Sequence, residues 1–227
     1  MYHTIPLEHS IVKGGIFEDI SLTAIARGGR TLNCTHWEYQ GKDKDYKVTK
    51  IKKKFTKKEL CTRPSLLGYL KRDKELNKSF DKTEALIDGS SAEGTFQMTI
   101  NDDHPNSRLG AMKVASDWNA TAEDKMPLYY VVPGDKYSYW SSKKKPPSFR
   151  KEHTPEGWEG DDAMYAKIDF FVLEIPMTPD IMKEKTIPAK YLSSNAGEEQ
   201  EKTNDVGGKA SSNGGEGSKK KKGGKGK

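Results

Sequence analysis

The chain has 227 residues, of which 33% are hydrophobic and 32% charged, and it carries a formal net charge of +6 at pH 7. This length allows one large domain or two small ones. The low apolar content indicates that much of the chain is surface or unstructured. The longest apolar runs, 128–132 and 170–173, are too short to cross a bilayer, so we expect no membrane span.

The first residues contain neither a basic leader nor an apolar stretch, which argues against an ordinary secretion signal. The two cysteines, Cys34 and Cys61, lie in no metal-ligand spacing and suit a reducing compartment. We therefore interpret both as free thiols and expect the protein in the cytoplasm or nucleus.

The composition changes after residue 194. From 195 to 227 Gly, Ser, Asn, Glu and Lys dominate, and no aromatic residue occurs. Such a segment buries too little apolar area to offset the entropy lost on ordering. We predict one β-rich globular domain at 1–194 and a disordered Gly/Lys-rich tail at 195–227, whose basic tip contains Lys219, Lys220, Lys221 and Lys222.

Taken in chain order, the first elements read as strands. Apolar residues alternate with more polar ones over 20–26, and Gly28 and Gly29 suit the turn of a hairpin whose return strand is 30–39. A third extended segment covers 46–55. The next signals indicate helices: 56–59 has the form of a capping box, and Ser65 is a candidate cap for a helix over 66–76.

A second hairpin is predicted from 96–100, a polar turn, and 108–116. A third pairs 128–132 with 136–141 through a Pro-Gly turn. The segment 163–175 is the longest strand candidate and is expected to be central, and a short helix should begin at 178–180. Strands outnumber helices without regular alternation, which favours a mainly β fold, an antiparallel sandwich or barrel with one or two short helices.

Basic charge is the strongest functional signal. Between Lys42 and Lys78, fourteen Lys and Arg residues stand against five Asp and Glu residues, a net charge of +9 that exceeds that of the whole chain. A field of this kind attracts polyanions, because lysines that neutralise phosphates release counterions. The alternative is that these lysines serve solubility and protect a sheet edge. The predicted phosphate-contacting residues here are Lys50, Lys52, Lys53, Lys54, Lys57 and Lys58.

Aromatic residues at 137–140 are followed by a run of basic residues at 143–151. Unpaired bases need a π-face for stacking and a positive charge for the backbone, although aromatic pairs that only stabilise a hairpin are the alternative. The candidate residues are Tyr137, Tyr139, Trp140, Lys143, Lys144, Lys145 and Arg150, and the lysine-tipped tail would add a second, mobile contact.

Catalytic signals are weak. Asp102 with Asp103, and Asp161 with Asp162, are the acidic pairs that a metal-dependent enzyme would use, but the same residues are ordinary turn formers. No nucleotide-binding glycine loop, nucleophile elbow or dinucleotide fingerprint occurs, so no cofactor and no metal site is predicted.

These patterns favour a sequence-nonspecific nucleic-acid-binding protein, of DNA or RNA, with single strands preferred because of the aromatic residues. Two alternatives stay open. One is a small coat-type assembly protein, located in a virion, whose basic tail neutralises packaged nucleic acid and which forms a homo-oligomer. The other is a metal-dependent enzyme acting on a polyanion, the less favoured class.

Overall fold

A computed structural model describes residues 10–41, 45–71, 74–79, 86–150 and 154–183, with side chains from residue 14 to residue 182. These residues belong to one compact unit. The elements in chain order are α1 (Ser10–Arg27), β1 (Thr31–Tyr39), β2 (Tyr46–Lys54), β3 (Glu59–Arg63), β4 (Glu75–Ser79), β5 (Gly89–Ser91), β6 (Gly94–Met98), α2 (Arg108–Trp118), β7 (Met126–Pro133), α3 (Gly134–Ser142), α4 (Asp161–Lys167), β8 (Ile168–Ile175) and α5 (Pro179–Lys183).

The eight strands form one sheet in the order β2-β1-β8-β7-β6-β5-β4-β3. The pairs β6/β7, β7/β8 and β3/β4 are parallel, and the other four pairs are antiparallel. The prediction of a β-rich fold is confirmed, but the sheet is mixed rather than antiparallel, and the described residues form five helices instead of the one or two short ones predicted. The reason is that α2, and then α3 with α4, return the chain so that β6, β7 and β8 run the same way. Closure as a sandwich or barrel stays a prediction.

Strand β7 shows how the sheet divides the core. Successive side chains of a strand point to opposite faces, and Leu128, Tyr130 and Val132 join the cluster that holds residues of α2, α3 and α4. Tyr129 and Val131 join the cluster that holds residues of α1 and α5. We call these sides the first face and the second face of the sheet.

The predicted strand over 20–26 is wrong, because these residues form the end of α1. Almost every side chain from 20 to 26 is buried between the helix and the sheet. Because burial allows apolar residues at nearly every position, their pattern does not distinguish a strand from a helix here. Gly28 and Gly29 both have positive φ (59° and 75°) and end the helix instead of closing a hairpin. The return strand over 30–39 is confirmed as β1.

The second predicted hairpin is half right. Its first strand is β6, but 108–116 lies in α2. The Ser107 hydroxyl accepts a hydrogen bond from the Gly110 N–H at 3.1 Å, and Asn119 ends the helix in the left-handed conformation. A single well-formed cap therefore outweighs the β-branched and apolar residues that suggested a strand.

The third predicted hairpin is also corrected, since only 128–132 is a strand. Pro133 is the N-cap of α3, and Gly134 and Asp135 form its first turn. Proline, glycine and aspartate are common at turns, but proline and aspartate also favour a helix start. Tyr137, Tyr139 and Trp140 consequently lie on a helix.

The remaining predictions of elements and cysteines have the following outcomes. The capping box at 56–59 is wrong, because it leads into strand β3, and Leu76, placed on a helix, lies in strand β4. Strand β2 is confirmed over nearly the predicted range, and a short helix begins at Pro179. The strand predicted over 163–175 is corrected at its start, because 163–167 lies in α4; the remainder is β8, which is central between β1 and β7 but shorter than β1 and β2. Both cysteines are free thiols, Cys34 being buried. The tail at 195–227 lies outside the described residues.

Trp140 fixes α3 on the first face. Its side chain is 0% exposed, its ring lies 5.4 Å from that of Tyr130, and its Nε1 donates to the Asn101 carbonyl at 3.0 Å. We expect Trp140→Ala to lower the free energy of unfolding by about 4 kcal/mol, because it removes a buried aromatic side chain and leaves a cavity. Chemical denaturation followed by circular dichroism measures this.

The neighbouring Tyr139 provides the matched control, because its side chain is 50% exposed. Tyr139→Ala should change the free energy of unfolding by less than about 1 kcal/mol. Equal losses in the two variants would contradict the assignment of these aromatic residues to core and surface.

Candidate nucleic-acid interface

The lysines of β2 lie on an open edge of the sheet. In the β1/β2 register, Lys54, Lys52 and Lys50 stand opposite Thr31, Asn33 and Thr35. These residues share a face with Trp37, which belongs to the first-face cluster. Alternation therefore directs Lys50, Lys52 and Lys54 to the first face and Lys53 to the second.

Helix α3 is tied to β1 on that same face. The Tyr137 and Thr35 hydroxyls are hydrogen-bonded at 3.1 Å, and the Trp37 Nε1 donates to the Lys143 carbonyl at 2.8 Å. Thr35 is the register partner of Lys50, and neighbouring strands lie only about 4.8 Å apart. Tyr137 of α3 and the Lys143 backbone therefore contact β1, the strand that pairs with the lysine row of β2.

The exposed members of this region carry unneutralised charge. In the part of the chain that the structure describes, Lys50, Lys54, Lys144 and Lys145 form no ion pair within 4.0 Å. Lys52 is exposed but donates a hydrogen bond to the Asn33 Oδ1. This surface, which we call the β2–α3 surface, consists of Lys50, Lys52, Lys54, Tyr139, Lys144 and Lys145.

The three predicted aromatic residues have different environments. Tyr139 is half exposed, and the Lys143 ammonium lies 4.9 Å from its ring centroid. The Tyr137 hydroxyl bonds to Thr35, and burial raises its pKa. Trp140 is fully buried and belongs to the core. Of the three, Tyr139 presents the largest ring surface to solvent, and Trp140 is corrected to a structural role.

Lys58 is also corrected. Its side chain is only 2% exposed, its ammonium lies 3.3 Å from the Glu93 carboxylate, and it donates to the Thr56 hydroxyl at 2.9 Å. A lysine so enclosed is unavailable to a phosphate. Its role is structural, linking the segment after β2 to the turn between β5 and β6.

The remaining predicted cations are scattered. Lys53 lies on the second face, 5.4 Å and 5.6 Å from the ring centroids of Phe55 and Tyr129. Lys57 is exposed in the connection between β2 and β3. Neither is on the β2–α3 surface.

Lys143 and Arg150 lie in the chain after α3 and are not part of the lysine row of β2. The Lys143 ammonium donates to the Asp102 carbonyl at 2.6 Å, and burial lowers its pKa although Asp103 and Asp102 oppose the shift. Arg150 is exposed, and its N–H donates to the Asn106 carbonyl at 2.9 Å, beyond the end of α3. The tail lysines 219–222 lie outside the described residues.

One member of each candidate acidic pair is engaged in an ion pair. Asp102 contacts the Lys136 ammonium at 2.8 Å, and Asp161 accepts from the Arg108 guanidinium at 3.0 Å and 3.2 Å. Within the described ranges, no group of three or more His, Cys, Asp and Glu side chains is arranged to hold a metal ion. These contacts connect loops and helices on the first face.

Two features of this site escaped the sequence analysis. The helical form of 134–142 was hidden by its turn-like first residues, and the burial of Lys58 was hidden among exposed lysines. The acidic residue that pairs with Lys58 is 35 positions away, at Glu93, and comes close only through the folded sheet.

Comparison with protein-family models, with curated proteins and with solved structures finds no match to this chain. Among the described helices, none has the length and apolar character needed to cross a membrane. The site therefore has to be interpreted from its own geometry.

The corrected role of Lys58 predicts a stability effect. We expect Lys58→Gln to lower the free energy of unfolding by about 3 kcal/mol, because it removes the only cation within 4.0 Å of the partly buried Glu93 carboxylate among the described residues. Lys57→Gln, next to it but exposed, should have almost no effect. Denaturation curves that give the two variants the same stability would contradict the structural role.

Glu93 should make stability depend on pH. Burial opposes ionisation of this carboxyl, but hydrogen bonds from Thr56 and Lys58 outweigh it, so its pKa lies below the ordinary value of 4.5. A lowered pKa in the folded state stabilises the protein above the unfolded pKa, and this contribution disappears as pH falls through the folded pKa.

We therefore expect Glu93→Gln to be less stable than the natural chain at pH 7, with a difference that shrinks as the pH falls from about 5 to 3. Urea unfolding across this range measures the effect, with the exposed Glu123→Gln as control. A difference that is constant with pH would contradict the lowered pKa.

Proposed function

We propose that the protein binds single-stranded nucleic acid without sequence specificity, and that the β2–α3 surface makes the principal contact. The observation that carries this proposal is the attachment of α3 to β1, the strand that pairs with the Lys50, Lys52 and Lys54 row. Two hydrogen bonds, between Tyr137 and Thr35 and from the Trp37 Nε1 to the Lys143 carbonyl, support it because they keep α3 beside that strand.

The geometry of an edge strand suits a polymeric phosphate ligand. Alternate residues of a strand are spaced by about 6.8 Å, so the three lysines form a straight row of ammonium groups. Such a row follows a sugar-phosphate backbone and reads no bases, because phosphate contacts carry no sequence information. Exposed lysines at an open edge also discourage pairing with another strand.

Tyr139 gives the preference for single strands. An exposed ring offers a face on which an unstacked base can lie, and stacking of this kind is tolerant of sequence. In a duplex the base faces are already stacked, so the same ring contributes little. The Lys143 ammonium over Tyr139 adds positive charge next to the bound base.

The mutational test uses two triple variants of the full chain. Lys50→Gln, Lys52→Gln and Lys54→Gln together remove the lysine row, and Lys71→Gln, Lys74→Gln and Lys113→Gln together remove the same charge from exposed lysines elsewhere. Fluorescence anisotropy with labelled single-stranded oligonucleotides measures affinity over a series of salt concentrations.

We expect the first triple variant to bind more weakly and to reduce the slope of log affinity against log salt by about 2, since each phosphate contact on a single strand contributes about 0.7. The control variant should keep most of the slope. Equal losses would indicate that only net charge matters and would remove this surface from the proposal.

Two further variants separate the remaining contributions. Tyr139→Ala should weaken binding to single strands by roughly fivefold to a hundredfold and leave duplex binding nearly unchanged, because stacking is worth about 1–3 kcal/mol per base. Replacing the four lysines at 219–222 by glutamine measures the tail. Binding that vanishes with the tail lysines alone would contradict a principal site on the sheet.

The coat-type and enzymatic alternatives, self-association, the sandwich or barrel form and a cytoplasmic or nuclear location stay predictions from the sequence. Analytical ultracentrifugation at high protein concentration addresses the coat-type alternative, which requires regular self-association through the globular domain.

A further inference from the structure

Strand β2 has an open outer side. It stands at one end of the strand order, so β1 is its neighbour on one side and no described strand pairs with it on the other. Seven of its nine residues are exposed, and they include side chains of both faces. Alternate residues of an edge strand direct their main-chain N–H and C=O groups outward, where another strand can pair with them.

This edge lacks most of the features that block the addition of a further strand. Natural edge strands are often short, or they contain a proline or a bulge. β2 has nine residues without a proline, and nine consecutive pairs from Thr31 opposite Lys54 to Tyr39 opposite Tyr46 join it to β1 without a bulge. Its lysines repel a basic strand, such as β2 of a second copy, but they attract an acidic one.

The other edge of the sheet differs in length and charge. Strand β3 has five residues, contains no lysine and pairs in parallel with β4. Its one arginine, Arg63, lies 2.9 Å from the Glu75 carboxylate and is therefore neutralised. Of the two edges, β2 is the longer one and the one that carries a row of lysines.

The side chains of β2 define the pattern that an added strand needs. Lys50, Lys52 and Lys54 point to the first face at intervals of about 6.8 Å. Residues two apart in an added strand have the same spacing, so acidic residues at alternate positions can face all three lysines. On the second face Thr49 and Ile51 are exposed, Ile51 by 37%, and β-branched residues suit the positions opposite them.

We propose that β2 binds an extended acidic segment of a partner protein by strand addition, with acidic residues at alternate positions facing Lys50, Lys52 and Lys54. Main-chain hydrogen bonds along the outer side of β2 supply affinity, and the opposed charges select the partner. β-branched residues between the acidic ones pack against Ile51. This interaction goes beyond nucleic-acid binding, because a sugar-phosphate backbone uses the lysines but does not extend a hydrogen-bonded sheet.

The first test compares labelled heptapeptides by fluorescence anisotropy with the full chain. One peptide alternates three glutamates with valines between terminal threonines, a second has the same composition with the glutamates consecutive, and a third has lysines in place of glutamates. The alternating peptide should bind about tenfold more tightly than the second, because only alternation puts every acid on the lysine face, and the third should not bind. Equal binding of the first two overturns the proposal, since net charge alone would explain it.

N-methylation tests the main-chain pairing. The alternating peptide with methyl groups on its central amides keeps its side chains and its charge, but it loses the donors of a strand and cannot approach β2 closely. We expect its affinity to fall about tenfold or more. Unchanged affinity would show that the peptide is held by its carboxylates alone and would exclude strand addition.

Variants of the full chain place the peptide on β2. The triple glutamine variant of the β2 lysines should weaken binding of the alternating peptide about tenfold or more, and the control triple variant described above should bind it like the natural chain. Equal losses in the two variants contradict the proposed site. The same variants are titrated separately with oligonucleotides, so a chain that binds one ligand and not the other distinguishes failure of this proposal from failure of the nucleic-acid proposal.

Hydrogen exchange on the natural chain covers the case in which a variant fails to fold. With saturating alternating peptide, the outward amides of β2 should exchange more slowly, because they become hydrogen-bonded to the added strand, and the amides of β3 should not change. An oligonucleotide that contacts only the lysine side chains should leave this alternating protection absent. Unchanged exchange in β2 at saturation, or equal slowing in β3, overturns the proposal.

Discussion

The burial of Trp140 against the first face of the sheet is the contact on which the position of α3 depends. Its ring packs near Tyr130 of β7, and its Nε1 donates a hydrogen bond to the carbonyl of Asn101 in the loop after β6. One side chain thus holds α3 on the sheet and fixes the start of a loop that borders both faces. A rigid scaffold that positions polar loops and edges is a common way to build a binding protein.

The mixed sheet separates two kinds of surface. On the first face, the edge strand β2 presents exposed lysines, and α3 is hydrogen-bonded to the neighbouring β1. On the second face, a cleft near α1 is lined by Glu18, Asp88 and His104 together with apolar side chains. The loop that follows β6 borders both surfaces, because the Asn101 carbonyl accepts a hydrogen bond from Trp140 and Asn101 also lines the cleft. The strand alternation of β6 and β7 produces this division.

Local patterns predicted elements where one interpretation was physically favoured. The extended segment predicted at 46–55 is β2. β8 was found because an apolar run is typical of a central strand buried on both faces, and α5 because Thr178-Pro179-Asp180 favours a helix start. The same reasoning failed for α1, where burial on nearly all sides removed the helical period, and for α3, whose Pro-Gly-Asp start is equally typical of a turn. In neither case does the local sequence distinguish the helix from the strand or turn that it also suggests.

The sequence by itself determined the mainly β character, the free cysteines, and the concentration of positive charge between residues 42 and 78. Composition and residue spacing are sufficient to predict these three properties, because they depend on residue types and on residues close in the sequence. Tertiary structure alone decided which lysines are exposed and which, like Lys58, are buried with a partner 35 positions away. It also decided that β6, β7 and β8 run parallel and that Glu18, Asp88 and His104 share one cleft, because contacts between distant segments depend on how the helices pack and on the register of the strands.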